Sequence, residues 1–283
     1  MKNYVMKAYN KAITPESFRY PIIAERKYDG IRVAMQREAG DDFRTAQGKE
    51  IPNRAVRQWL TELAVAARPY QLDGELIIEG KGFHDIQSEI MSENRPLPID
   101  LKLVAFDITN LEDTYINRFV RLRSFLNEKL WHSFRNGFIT TPEVYACSIQ
   151  GPEDFSKFLE YKPIPPSWEG LMIKWIEMPY KFGRSTLKEG YMFKWCEYIR
   201  DEARIVSVNV QEDWSPVTRM GSFTVEHPKF GRFDIGSGLN NEQKELYWEQ
   251  RGTLIGQRIT FKYKLFGTKD KPRSPIFVGF RYD

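Results

Sequence analysis

The sequence predicts an α+β protein in two parts, a mixed α/β part over residues 1–199 and a β-rich part over residues 200–283. With 283 residues, of which 41% are hydrophobic, the chain is long enough for about two buried cores. In the first part strand-like and helix-like stretches alternate. From about Asp201 onward, short alternating strands follow one another with a single helix between them. This change of pattern sets the predicted boundary.

The first part begins with a turn and a strand. Gly30 gives the turn a permissive backbone, and Ile31, Val33 and Met35 then alternate with polar or small residues at period two. A hairpin connection is predicted over 38–42.

The helices and strands that follow are predicted by capping residues and periodicity. They are a helix capped by Asn53, a strand over 71–78, a short helix around Ile86, a strand over 101–108, a helix opening at Asn117, and strands over 168–175 and 191–196. In the helix that opens at Asn117, Phe119, Leu122 and Leu126 are predicted to face the core, and Arg118, Arg121 and Arg123 to form a solvated face.

The second part fits a small Greek-key barrel of the oligonucleotide-binding type. Five short strands are predicted over 204–210, 221–226, 232–235, 258–264 and 276–282, with one helix over 241–251. On the fourth strand Lys262 and Lys264 alternate with core residues and should point outward. Six basic residues against one acid between Arg258 and Arg273 favour a phosphate-backbone footprint or, equally, a solvated basic hairpin.

Composition excludes several classes of protein. The net charge of +4 permits a polyanionic partner without demanding one. Two cysteines without paired spacing and three scattered histidines argue against a disulfide or zinc framework. The N-terminus lacks the apolar core of a signal peptide, and no stretch reaches the ~20 apolar residues of a membrane span. A soluble, cytoplasmic protein without a membrane partner is expected.

One lysine is a candidate nucleophile. Lys27 stands before the Asp29–Gly30 turn, which would hold it at the mouth of a pocket. Its amine attacks only if its pKa falls well below the free value of about 10.4, through burial or a neighbouring cation. The alternative is an ordinary solvated lysine before a turn.

Further residues on the predicted strands suit a phosphate-binding pocket. Glu75, on the face of its strand opposite the core, suits a hard divalent cation or a solvated edge. Phe106 is either a core residue or a plate that stacks on a purine. Lys174 and Lys194 stand in mid-strand among bulky neighbours, where a buried lysine needs a partner such as phosphate.

In this order and at these intervals, the stretches resemble the motifs of the ATP-dependent DNA ligases. The motifs are Lys27 to Arg32, Asp73 to Leu76, Phe106–Asp107, Glu169 to Lys174, Lys194, and the ending Pro272 to Arg281. The resemblance implies an ATP-grasp-like nucleotidyltransferase (adenylation) domain followed by an oligonucleotide-binding (OB) domain. Because no further DNA-binding domain is expected, the chain resembles the minimal two-domain ligases found in phages and other viruses.

The resemblance also implies roles for the residues. Lys27 would form a covalent lysyl-AMP, and Mg²⁺ or Mn²⁺ would lie near Glu75 and Glu169. The implied nucleotide contacts are Glu25 with the adenine amine, Phe106 with its ring, Arg32 with the ribose, Lys174 and Lys194 with the α-phosphate, and Arg273 and Arg281 with pyrophosphate. Lys262 and Lys264 would contact nicked double-stranded DNA, with the protein acting as a monomer.

Two positions depart from the family pattern, and two other functions remain open. Cys196 stands where a second lysine is common, and Ala46 where an arginine is common, for which Arg44 is a candidate substitute. An RNA ligase or a GTP-dependent mRNA capping enzyme shares the core motif. A non-catalytic nucleic-acid-binding protein would use the barrel alone.

Overall fold

The structure is a computed structural model that describes residues 4–11, 13–36, 42–130, 137–211, 218–264 and 270–281. The chain divides into two compact units, Met1–Trp195 and Cys196–Asp283. All but the last residue of the predicted hairpin connection over 38–42 lies outside the described residues. None of the described helices is long and apolar enough to cross a membrane.

The first unit combines eleven strands with four helices in its described residues. The strands are β1 (Met6–Lys7), β2 (Ile22–Arg26), β3 (Ile31–Gln36), β4 (Asp42–Thr45), β5 (Leu72–Ile78), β6 (Leu101–Ile108), β7 (Ile139–Thr140), β8 (Val144–Ile149), β9 (Leu171–Trp175), β10 (Gly183–Arg184) and β11 (Met192–Trp195). The helices are α1 (Arg54–Ala67), α2 (Phe83–Ile90), α3 (Tyr115–Lys129) and α4 (Pro152–Tyr161), with a 3-10 turn at Pro15–Ser17.

A five-stranded sheet, in the order β4-β3-β5-β6-β7, carries helices α1 to α3 on one face. Val33, Leu60, Leu76, Ile86 and Leu122 are all buried in the core between this sheet and the helices. Because successive strand residues point to opposite faces, the same alternation turns the intervening side chains of β3, β5 and β6 away from that core.

A second sheet, in the order β11-β9-β2-β8, is antiparallel throughout. One of its faces packs Ile173 and Phe193 against Phe155 of α4, in a core separate from that of the first sheet. The opposite face carries Met172 and Lys174. Ile23 and Met192 belong to a smaller buried cluster with Tyr115 and Phe119 of α3, and Met172 packs against it.

The helices of the first unit begin close to where the sequence predicts. Asn53 caps α1, its side chain accepting from Val56 N at 3.1 Å, as expected. Helix α3 begins two residues before the predicted Asn117, because Thr114 is its cap. The prediction that Arg118 is solvated is wrong: its side chain is fully buried and ion-paired with Asp107.

The second unit is a five-stranded antiparallel sheet in the order β14-β13-β12-β15-β16. Its elements are β12 (Tyr198–Val210), β13 (Met220–His227), β14 (Gly231–Ile235), α5 (Asn241–Glu249), α6 (Arg251–Leu254), β15 (Arg258–Lys264) and β16 (Arg273–Phe280). An isolated parallel bridge joins Ser237, just after β14, to Ile276 of β16. The sheet therefore curls into the barrel that the sequence predicts.

The barrel core is aromatic. Phe223, Phe261 and Phe277 are buried together, and Ile259 and Tyr263 lie inward as predicted. Strand β12 begins six residues earlier than the predicted start at residue 204, and β16 begins three residues earlier than 276, at Arg273. Both extensions continue ladders with β15.

Candidate active site

A cavity of about 190 Å³ lies between the five-stranded and the four-stranded sheet of the first unit. It is lined by Glu25, Arg26, Lys27, Tyr28, Arg32, Glu75, Phe106, Pro142, Met172, Lys174, Met192 and Lys194. Seven of these residues are ones that the sequence predicts for the site. They come from β2, β3, β5, β6, β9 and β11 and from the turn after β2, so the fold gathers them from across the unit.

The turn after β2 holds Lys27 against the cavity wall. Its backbone N–H donates to Gly170 O at 2.9 Å, and its Nζ is ion-paired with Glu169 Oε2. The Lys27 side chain is only 14% exposed, which contradicts the solvated alternative. A Cβ on Gly30 would lie 2.1 Å from Leu76 O, so close packing against β5 is what requires glycine in this turn.

Two carboxylates flank the Lys27 amine. The Glu169 side chain is 4% exposed and contacts Lys27, and Glu75 lines the same cavity. Removal from water raises the pKa of Glu75 to about 7, although Lys27 and Arg32 oppose the shift. The charge of Glu169 adds to the rise in the Glu75 pKa, so these two acids are near enough to repel each other.

A buried hydrogen-bonded cluster forms the floor of the cavity. Lys174 Nζ donates to Glu25 Oε2 at 2.7 Å and to the hydroxyl of Tyr115 at 2.8 Å. The Tyr115 hydroxyl donates in turn to Glu25 Oε1. Glu25 and Lys174 are 1% and 3% exposed, so the buried lysine has the partner that its burial demands, here a carboxylate.

Arg32 is fixed by a second buried carboxylate. Its Nε and Nη2 donate to Asp73 at 3.0 and 2.6 Å, and Tyr180 donates to Asp73 Oδ2 at 2.7 Å. Burial lowers the pKa of Arg32, but Asp73 outweighs burial and raises it above its usual value. The guanidinium carbon also lies 5.1 Å from the centroid of the Phe106 ring.

Phe106 lines the cavity and is not part of the core. Two cations lie near the Phe106 ring: the Arg32 guanidinium described above and the Lys174 Nζ, which is 5.2 Å from the ring centroid. Met172 and Met192 complete the apolar part of the wall. Lys194 also lines the cavity but is exposed, so the expectation that both mid-strand lysines avoid solvent holds for Lys174 and fails for Lys194.

Several residues in the cavity wall or behind it were not predicted as site residues from the sequence. Tyr115 and Tyr180 stand 90 and 107 positions from the carboxylates that they contact, so no local pattern marks them. Tyr28 accepts a hydrogen bond from Glu143 N at 3.3 Å, and burial raises its pKa. Asp73 could have been predicted as a site residue, because the period-two alternation of a strand places it on the same face as Glu75.

Four of the predicted site residues belong to the second unit. Lys262 Nζ lies 5.0 Å from the ring centroid of Tyr198, and Lys264 pairs across strands with Arg273. Arg281 is ion-paired with Glu202 at 3.1 Å. In the first unit, Arg44 is ion-paired with Glu50 at 2.5 Å and is not among the residues that line the cavity.

Comparison with known families and structures identifies this architecture. Residues 1–193 match the family model for the ATP dependent DNA ligase domain, and residues 217–281 match that for the DNA ligase OB-like domain. The architecture is therefore that of a ligase adenylation domain followed by an OB-like domain. The chain belongs to the family of ATP-dependent DNA ligases.

Solved structures agree over nearly the full length. The Chlorella virus DNA ligase-adenylate is 27% identical with a TM-score of 0.57, covering 100% of this chain and 99% of that one. A Lig E DNA ligase is 22% identical with a TM-score of 0.71, covering 99% of both chains. The ATP-dependent DNA ligase of bacteriophage T7, in complex with ATP, is 15% identical with a TM-score of 0.53 over 99% of both. The last two show the fold alone. Comparison with curated protein sequences gives no significant match.

Proposed function

We propose that this ligase seals nicks in duplex DNA in three steps, through a lysyl-AMP and then a DNA-adenylate. The observation that carries the proposal is the gathering of seven predicted site residues around one cavity, with the Lys27 amine held at its wall by Glu169. Such a reaction would serve DNA replication, repair or recombination.

In the first step, the Lys27 Nζ attacks the α-phosphorus of ATP. A nitrogen–phosphorus bond forms and the bond to pyrophosphate breaks, leaving AMP on the lysine. The attacking amine must be unprotonated. Lys174 and Lys194, on neighbouring strands of the same sheet, are proposed to stabilise the charge that develops on the α-phosphate oxygens.

The same cavity offers contacts for the rest of the nucleotide. Glu25 is proposed to accept a hydrogen bond from the adenine amine, and Arg32 to reach the ribose. Phe106 is proposed to stack on the purine, a contact typically worth about 1–3 kcal/mol. In the second unit, Arg273 and Arg281 are proposed to orient the leaving pyrophosphate.

A divalent cation, Mg²⁺ or Mn²⁺, fits the acids beside Lys27. Within the described part of the chain no group of three or more His, Cys, Asp or Glu side chains could hold a metal by itself. Glu75 and Glu169 provide two oxygen ligands, and Mg²⁺ commonly takes one or two carboxylates with water and substrate phosphates. Removal from water raises the pKa of Glu75, and a cation bound beside this carboxylate would favour its ionised form. A bound Mg²⁺ would neutralise phosphate charge during the transfer.

Replacement of Glu169 tests this metal assignment. We expect Glu169→Ala to slow lysyl-AMP formation at least about tenfold and to raise the Mg²⁺ concentration needed for half-maximal rate, because a ligand and a partner of Lys27 are both lost. The matched control is Glu79→Ala, which removes an exposed acid paired with Lys102. A Glu169→Ala enzyme with an unchanged Mg²⁺ requirement would remove Glu169 from the metal site.

The outer face of the barrel supports the DNA-binding part of the proposal. Strands β12, β15 and β16 place like charges directly opposite each other in three cross-strand pairs. The pairs are Arg200 with Lys262, Arg204 with Arg258, and Lys264 with Arg273. Like charges in this position repel each other across the strands, and an anionic partner bound over this face would offset that repulsion. The phosphate backbone of duplex DNA is such a partner.

Replacing one of these pairs tests whether it contributes to DNA binding or to the stability of the barrel. We expect the double variant Arg204→Ser/Arg258→Ser to bind nicked DNA about tenfold more weakly near physiological salt. A plot of log affinity against log salt concentration should become less steep by roughly 2, at about 0.9 per lost phosphate contact. The melting temperature should change little, because the repulsion between the two arginines and the attraction of Arg204 to Glu226, opposite it on β13, are lost together.

The control for that experiment is Arg232→Ser, in which an exposed arginine paired with Glu226 is lost. Fluorescence anisotropy over a series of salt concentrations gives both affinity and slope. Equal slopes for the double variant and the unmodified protein would exclude Arg204 and Arg258 from the DNA contact.

The whole proposal is tested by a gel assay on a nicked duplex. We expect sealing with ATP and Mg²⁺ and not with GTP, and the assay should compare DNA with RNA strands at the nick. Sealing restricted to RNA would indicate an RNA ligase. Salt-dependent DNA binding without any covalent nucleotide would indicate a non-catalytic binding protein.

A further inference from the structure

Tyr115 lies beneath the cavity and contacts three residues that the proposed function assigns to the nucleotide. Its side chain is fully buried. Its hydroxyl donates to Glu25 Oε1, accepts from Lys174 Nζ at 2.8 Å, and lies 3.3 Å from the carbonyl oxygen of Phe106. One phenol thus connects the residues proposed for the adenine amine, the α-phosphate and the purine ring.

We infer that Tyr115 is a positioning residue for selection of the purine base. It holds the carboxylate of Glu25 as an acceptor for the 6-amino group of adenine, so that ATP is preferred over purine nucleotides without that donor. The inference rests on the proposed function, which assigns the adenine amine to Glu25.

The hydrogen bonds of Glu25 explain how this selection works. Tyr115 engages Oε1 and Lys174 engages Oε2, so donors on two different elements prevent the carboxylate from rotating. An ionised carboxylate can only accept hydrogen bonds. The 6-oxo group of guanine is also an acceptor, and in a buried site two facing acceptors are strongly unfavourable. A fixed Glu25 therefore favours a purine that carries a donor at position 6.

The tyrosine is a reliable donor to that carboxylate. Burial, and next the charge of Glu25, raise the pKa of the Tyr115 hydroxyl well above its usual value. The hydroxyl consequently keeps its proton at any pH at which the enzyme would be assayed. Lys174 bonds to the second oxygen of Glu25, so the two donors hold different ends of the carboxylate.

The backbone around Tyr115 keeps the hydroxyl in position. Tyr115 is the first residue of α3, and the next residue, Ile116, donates its N–H to Ile176 O at 2.9 Å. One turn later, Arg118 bonds to Asp107 through two nitrogens, at 2.7 and 3.0 Å. The ring of Tyr115 also stacks on Phe119, with centroids 5.9 Å apart. The start of α3 is thus tied to β6 and to the chain just after β9.

The experiment compares ATP with purine riboside 5′-triphosphate, which lacks only the 6-amino group, in single-turnover formation of the lysyl-nucleotide. The unmodified protein should prefer ATP. Tyr115→Phe keeps the ring and removes the hydroxyl, and we expect it to reduce that preference about tenfold. A change of that size lies at the low end for loss of one hydrogen bond to a charged group. The loss should fall on the apparent affinity for ATP, with the rate on the analogue nearly unchanged.

The matched control is Tyr180→Phe, which removes another buried phenol that donates to a carboxylate, Asp73. It should lower activity on both nucleotides equally and leave the ratio unchanged. An unchanged ratio in Tyr115→Phe, or an equal change in both variants, overturns the inference. If Tyr115→Phe is recovered unfolded, Tyr115→Leu replaces it, since leucine likewise has no donor, and a preference equal to that of the unmodified protein would contradict the inference.

Failure of the inference can be distinguished from failure of the proposed function. Absence of any lysyl-nucleotide in the unmodified protein, with ATP or with the analogue, removes the proposed function itself. A lysyl-AMP that forms equally well with and without the 6-amino group leaves the proposed function standing and overturns the role of Tyr115.

Discussion

Lys27→Ala should abolish formation of the lysyl-AMP, with a loss of at least about 10³-fold in rate, because the substitution removes the nucleophile itself. Within the described part of the cavity, Lys174 is bonded to Glu25 and Tyr115, and Lys194 is exposed on β11. The Lys27 amine is held at the cavity wall by its ion pair with Glu169. Mass spectrometry after incubation with ATP and Mg²⁺ should show one adenylate on the unmodified protein and none on the variant.

Two controls make the Lys27 result specific. Lys181→Ala removes a lysine that is ion-paired with Glu189 at 2.5 Å in the same unit and does not line the cavity, and it should adenylate normally. A nick that already carries a 5′-adenylate needs no lysyl-AMP, so Lys27→Ala should still seal it. Adenylation of the variant at another side chain would refute the assignment of the nucleophile.

Arg118→Met should be the most destabilising single substitution proposed here, at about 3–5 kcal/mol of unfolding free energy. Arg118 is fully buried and pairs with Asp107 through two hydrogen bonds, and it also donates to Met178 O at 3.1 Å. Removing one partner of a buried pair leaves the other charge without compensation. Denaturant unfolding of the variant and the unmodified protein measures the difference.

The pH dependence of the Arg118 variant has a definite sign. Burial raises the pKa of Asp107, and Arg118 opposes that rise. Without the arginine the folded-state pKa of Asp107 rises further above its unfolded value, so the folded variant is stabilised when this acid is protonated. The deficit in unfolding free energy should therefore shrink as pH falls through the folded-state pKa of Asp107.

Two further variants complete the Arg118 test. Asp107→Asn in the Arg118→Met background should recover part of the loss, because no charge then remains buried. The exposed Arg121, one turn along the same helix, provides the control, and Arg121→Met should cost less than about 0.5 kcal/mol. A loss of similar size at positions 118 and 121 would show that the buried pair is not the cause.

Much of the fold could be predicted because it depends on local rules. The cap at Asn53 and the apolar spacing of α1 depend on neighbours within a few residues, and both are confirmed. The alternation along β15 likewise places Phe261 inside the barrel. The sequence predicts the opening of α3 at Asn117, two residues late, because Thr114 is also a good cap and only the backbone shows that it acts as one.

The candidate site could be predicted only where a motif lies on one strand. Period two places Met172 and Lys174 on a single face, and the structure agrees. Tyr115, Tyr180 and Arg118 were missed or misjudged, because each is defined by a partner from a distant strand. An arginine on an amphipathic helix is far more often solvated than buried, and only the tertiary contact with Asp107 reverses that expectation.

The packing of the turn at Gly30 restricts which sequences this enzyme can explore. The nearest atom to an added Cβ is a main-chain oxygen of β5, which has no alternative rotamer and cannot move without moving the sheet. In a saturation library even alanine at this codon would force the loop off the strand and shift the amine that the loop carries. Directed evolution of this ligase should therefore leave that codon fixed and place its diversity elsewhere.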